Sequence, residues 1–150
     1  MRGLQTTELR RAGLVVALLG LLTSCGSTLG SIPFRDEGAG EVLVQAESGE
    51  LRFWTELDAT YAGELGSAYA IELVQDGSVV GRATCDPLQI RKPRACSERV
   101  QAGQTHTVHC RMACYAHVPK TGPTLIRARY SIRQRPESFQ LQQANLVVKQ

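Results

Sequence analysis

From residue 41 onward, apolar and polar residues alternate with a period of two. That spacing sends successive side chains of a strand to opposite faces of a sheet. Val42, Val44 and Ala46 alternate with Leu43, Gln45 and Glu47, and Ser48-Gly49 supplies a turn. Leu51, Phe53, Thr55, Leu57 and Ala59 then share one face, while Arg52, Trp54, Glu56 and Asp58 share the other. Tyr69, Ile71 and Leu73 alternate with Ala70, Glu72 and Val74. Asp76-Gly77 has the chemistry of a tight hairpin turn, leading into a strand that puts Cys85 on the face of Val79 and Ala83. Residues 86–95, with Pro87, Pro93, Arg91, Lys92 and Arg94, read as a basic loop. Further strands are predicted over 96–100, 105–118 and 124–134, with a turn at Ala102-Gly103. Residues 137–149 leave two readings open. Pro136 is able to start a helix, but the alternation at Phe139-Gln140-Leu141 and the Leu146-Val147-Val148 run favour a strand. Seven or eight short strands between turns predict an all-β chain, an antiparallel β-sandwich with immunoglobulin-like strand order.

The first 25 residues follow a different rule. A basic start (Arg2, Arg10, Arg11) precedes an apolar run from Ala12 to Leu22, which is half the length of roughly 20 residues that a spanning helix needs. A basic flank and a short apolar core are the layout of a secretory signal helix. The run ends in Leu22-Thr23-Ser24-Cys25, an aliphatic residue, two small ones and a cysteine. This resembles the lipobox of bacterial lipoproteins. The resemblance covers residues 1–25 and implies that residues 1–24 are removed and that Cys25 becomes the first mature residue, carrying the lipid. Several acyl chains, each methylene burying about 0.8 kcal/mol, hold a membrane far better than one. Gly26 stands where an aspartate retains members of the family at the inner membrane, so the resemblance implies an outer-membrane lipid anchor in the cell envelope. Residues 25–40, with four glycines and Pro33 in Gly26–Gly40, read as a flexible tether of about 20 Å mean reach if random coil. The β-sandwich domain is then expected over residues 41–150.

The chain has five cysteines, and with Cys25 set aside for lipid an even set remains. In an exported chain, Cys85, Cys96, Cys110 and Cys114 read as two disulfides. If 105–118 is one regular strand, Cys110 and Cys114 lie about 13 Å apart, beyond the roughly 7 Å between Cα atoms that a disulfide tolerates. The turn at Ala102-Gly103 brings Cys96 back beside Cys110, which favours Cys96–Cys110 with Cys85–Cys114. A break at Met112-Ala113 would instead permit Cys110–Cys114 with Cys85–Cys96.

The same stretch carries the competing chemistry. His106, His109, Cys110, Met112, Cys114 and His117 form a mixture suited to copper or zinc, the basis of an alternative reading as an envelope metal-handling protein. Strand alternation, however, sends His109 and His117 to the face opposite the sulfurs. No metal and no other cofactor is expected. No Gly-x-Ser-x-Gly, His-Glu-x-x-His or phosphate-loop motif occurs, and the Glu56/Asp58 pair lacks a second wall, so the chain reads as a non-enzyme.

Net charge is +3, and removing residues 1–24 leaves 14 basic against 13 acidic side chains, too even a balance for a nucleic-acid partner. The charges are nonetheless segregated. Residues 25–81 hold ten carboxylates against Arg35 and Arg52, and residues 82–150 hold twelve basic residues against Asp86, Glu98 and Glu137. Arg127, Arg129, Arg133 and Arg135 project from one strand face, either to pair with acidic strands or to meet a partner. Trp54, alternating with charged residues, is placed to stack on a sugar or anchor a protein. The expected role is a binding or scaffolding module. It meets the membrane through its lipid anchor, and its partner is an envelope protein or envelope polymer.

Overall fold

The computed structural model describes residues 26–89 and 95–150. Cys25, the expected signal helix and Arg91, Lys92, Pro93 and Arg94 of the basic loop lie outside the described residues. Among the described residues nine strands follow in order: β1 (Thr28–Phe34), β2 (Gly38–Ala46), β3 (Gly49–Ala62), β4 (Gly66–Gln75), β5 (Ser78–Cys85), β6 (Cys96–Gln101), β7 (Thr105–Val118), β8 (Gly122–Gln134) and β9 (Ser138–Lys149). There is no helix among the described residues. Two antiparallel sheets, ordered β1-β9-β3-β7-β6 and β2-β8-β4-β5, pack face to face as a β-sandwich. They are called sheets A and B below.

The alternation read from the sequence becomes the two inner faces. Leu51, Phe53, Thr55, Leu57, Ala59 and Tyr61 of β3 are buried, as are Tyr69, Ile71 and Leu73 of β4 and Ala144, Leu146 and Val148 of β9. Segment 137–149 is therefore settled as strand from Ser138, paired on one side with β1 and on the other with β3. Buried polar groups link the layers: the Tyr69 hydroxyl on sheet B donates to the Glu56 carbonyl on sheet A at 2.7 Å.

The topology corrects two expectations. An immunoglobulin sandwich places its first, second, fifth and fourth strands in one sheet. Here β1, β9, β3 and β7 face β2, β8, β4 and β5. This is jelly-roll order. It arises when a long hairpin is rolled up: β1 pairs with β9, β2 with β8, β3 with β7 and β4 with β5, and the pairs fall alternately in sheets A and B. The strand β6 is an addition, hairpinned onto the β7 edge.

The second correction concerns the tether. Segment 28–34 is an edge strand of sheet A, and Gly38 and Gly40 belong to β2. Its glycines serve packing. A Cβ on Gly40 would stand 2.4 Å from Ile32 Cγ2, and one on Gly30 would stand 3.0 Å from Val42 Cγ2. Glycine there lets the edges of the two sheets close along the β1–β2 side, while Ile32 and Phe34 are buried. Along the other side, Gly81 passes so near β7 that a Cβ would lie 3.0 Å from the His117 carbonyl oxygen. A bulge between Leu73 and Val74 shifts the β5 register, so Val79 is exposed and Val80 packs on the core, against the face expected for Val79.

Three rings, Phe34, Tyr69 and Tyr130, pack between the sheets with centroids 5.1–6.1 Å apart. Burial pushes the Tyr69 phenol far above its ordinary range, with Tyr130 adding to the rise. Burial, then the Glu37 carboxylate, pushes Tyr130 up to about 12 from 10.0. Above pH 10 the unfolded chain releases protons that the folded state retains, so stability is full below pH 10 and falls as pH climbs through 12. Each phenol contributes a slope of up to about 1.4 kcal/mol per pH unit. Urea unfolding at pH 9, 10 and 11 should show this decline, roughly halved in Tyr130→Phe; an unchanged slope in that variant refutes the assignment.

Candidate binding faces of the two sheets

Register places the sequence-derived site residues. Cys85 joins Cys114 with Cα atoms 6.0 Å apart, and Cys96 joins Cys110 at 4.0 Å. This is the connectivity that the single-strand reading of 105–118 favours, because β7 runs unbroken through Met112. Cys96 lies directly opposite Cys110 in the β6–β7 hairpin. Cys85–Cys114 instead joins β5 of sheet B to β7 of sheet A. All four sulfurs are thereby spent, which leaves the metal reading no thiolate. Two of the histidines are separately engaged, His106 stacking on Tyr61 and meeting Glu98 at 2.7 Å and His109 Nδ1 pairing with Asp58, while His117 is exposed.

On the outer face of sheet B the strands align Glu41, Arg127, Glu72 and Arg82 in one row. Arg127 meets Glu41 at 3.7 Å, and Arg82 meets Glu72 at 3.0 Å. Arg135 pairs with Glu37, whose other oxygen accepts from the Ile132 amide. Pairing with acidic strands thus accounts for Arg127 and Arg135, at the few tenths of a kcal/mol usual for exposed pairs. Arg129 differs. Its neighbours across β2 and β4 are Ala39 and Ala70, and it forms no ion pair among the described residues. It lies in a shallow depression of about 460 Å³ floored by Ala39, Gly40 and Ala70, with Glu41 and Glu72 in its wall. Arg133 is exposed and also forms no ion pair among the described residues.

On the outer face of sheet A, Trp54 occupies β3, the central strand. Its lateral neighbours are small: Val147 on β9 and Ala113 on β7. The half-buried ring therefore borders a depression of about 290 Å³ lined also by Thr28, Arg52, Glu56, Arg111 and Lys149. The polar groups around it are partly committed. Arg111 holds Glu56 at 3.0 Å, the Asn145 side-chain amide donates to Glu56 at 3.4 Å, and Arg52 lies 5.6 Å over the Tyr115 ring. Lys149 has no carboxylate partner among the described residues. The sequence pointed to Trp54 by alternation alone; Arg111, Val147 and Lys149 become its neighbours only through β3–β7 and β3–β9 pairing, for which the chain carries no local signal.

No protein-family model matches this chain, and no curated protein matches it.

Proposed function

We propose that this protein is a lipid-anchored lipoprotein of the bacterial cell envelope whose jelly-roll domain binds an envelope glycan on the outer face of sheet A. The observation that carries the binding role is the outward Trp54, set on the central strand between small side chains. An aromatic face without tall neighbours is open to the C–H face of a pyranose ring. Glu56 and Asn145 are placed for sugar hydroxyls, and the Lys149 ammonium for one acidic substituent. The anchor rests on Leu22-Thr23-Ser24-Cys25, and the pairing of the other four cysteines supports it by leaving Cys25 as the odd one.

Trp54 is the only tryptophan in the sequence, so it reports its own occupancy. Titrating soluble fragments of the cell-wall glycan should change its emission, with acidic fragments binding more tightly than neutral ones. Calorimetry on Trp54→Ala should show affinity weakened about 30-fold, the loss expected of a buried aromatic anchor, with partial retention in Trp54→Phe. Undiminished glycan binding by Trp54→Ala rejects the platform. Intact mass of the membrane-extracted protein tests the anchor separately: the expected species begins at Cys25 and carries acyl mass.

A further inference from the structure

If Cys25 carries the lipid, the lack of a tether dictates which end of the sandwich meets the bilayer. Only Gly26 and Ser27 separate Cys25 from β1. Two residues span at most about 7 Å. Ser27 is itself clamped to the domain: its amide donates to the Gln150 carbonyl at 2.7 Å, and the Gln150 amide donates back at 3.1 Å. The Gln150 side chain in turn bonds the Glu47 backbone in both directions, at 2.8 and 2.9 Å. The acyl chains would therefore leave the protein within a few ångströms of a fixed surface.

That surface has a distinct character. It is formed by the β2–β3, β4–β5 and β7–β8 turns and the first residues of β1. The turns are short and tied, since the buried Gln75 side chain donates to the Lys120 carbonyl at 2.7 Å and to Thr124 Oγ1 at 2.9 Å. Leu43, Val79, Val100 and Tyr115 are the exposed large apolar side chains among the described residues. Three of them ring this end. Leu43 lies in register with Leu125, Val74 and Val79 at the start of β8 and β5, forming an apolar row across sheet B. Tyr115 lies in the row Thr28-Lys149-Arg52-Tyr115 of sheet A. Val100 is at the opposite end, beside the β6–β7 turn. The charges here balance, with Arg52, Lys120 and Lys149 against Glu47, Glu50 and Asp76.

We infer that this end, with Leu43, Val79 and Tyr115 as its contacts, is a membrane foot that seats in the headgroup layer of the bilayer holding the Cys25 lipid. The strands then stand on end, and the Trp54 face looks sideways along the membrane. Apolar contact drives the seating, and balanced charge makes it indifferent to anionic lipid. The inference rests on the lipid-anchor reading, and the test separates the two.

The test uses the full mature lipoprotein in phosphatidylcholine vesicles, with a polarity-sensitive fluorophore on a single introduced cysteine: Leu43→Cys, Val79→Cys or, as the distal control, Val100→Cys. All three sites are exposed, so the fold tolerates the label. Expected is a blue shift and a several-fold rise in emission at positions 43 and 79, none at 100, and the same response when a third of the lipid is anionic. Protein that floats with vesicles but reads aqueous at all three positions overturns the foot and leaves the anchor standing. Protein lacking acyl mass and failing to float overturns the anchor, and the foot with it. A response at 43 and 79 seen only on anionic vesicles also overturns the apolar seating argued here.

Discussion

With both disulfides removed by alanine at Cys85, Cys96, Cys110 and Cys114, the domain is expected to lose its fold at physiological temperature. Cross-linked points 29 and 14 residues apart restrict the unfolded chain by about 3.5 and about 3 kcal/mol respectively in the chain-entropy picture. The shorter loop lies inside the longer, so together they contribute about 6 kcal/mol. That is comparable with the whole stability of a typical domain, roughly 5–15 kcal/mol. The two bonds are not equivalent in place. Cys85–Cys114 closes one side of the sandwich, where Gly81 already presses against β7, so its loss loosens the two sheets along that side. Cys96–Cys110 holds only β6, an edge strand whose residues beyond Cys96 are exposed. Urea unfolding of the paired alanine variants should therefore show the larger loss for Cys85/Cys114. Amide exchange in the Cys96/Cys110 variant should rise in β6 and spare β3 and β9. The opposite order of stabilities rejects this division of labour.

Leu57→Ala is expected to cost about 3–4 kcal/mol, within the range for a fully buried leucine that leaves a cavity. Leu57 is completely buried at the middle of sheet A, with Cys110 and Ala144 as its cross-strand neighbours. One of these is fixed by a disulfide and the other is too small to fill the space, so the site has little room to collapse. Leu43→Ala is the internal comparison. At 65% exposed, that leucine should change the unfolding free energy by no more than about 0.5 kcal/mol. Equal losses at the two positions contradict the assignment of inner and outer faces.

What the sequence made legible was the part governed by local alternation. The inner faces of β3, β4 and β7 follow from period two, and the disulfide pairing follows from counting along one strand and folding back at Ala102-Gly103, where both residues take positive φ. A tether is expected where residues 28–34 and 38–40 form strand because Gly30, Pro33, Gly38 and Gly40 are the same residues that mark a linker. Here Gly30 and Gly40 answer a close approach between β1 and β2, and Pro33 is tolerated on an edge strand where it points outward. Jelly-roll order was not legible for a different reason. Period two fixes which way a side chain points but not which strand lies beside it, and the β9–β3 and β8–β4 seams join segments distant in sequence. The surroundings of Trp54 and Arg129 are set by those seams, so both surfaces emerged only from the register.

The position of β9 bears on how the protein is made. Among the described strands β9 is made after the other eight, and it occupies the interior of sheet A, between β1 and β3. Until it arrives, the inner face of β3 has one edge open and β1 has no partner in its sheet. A chain that carries only the first eight of these strands therefore leaves sheet A incomplete, and the sandwich closes only once β9 is in place.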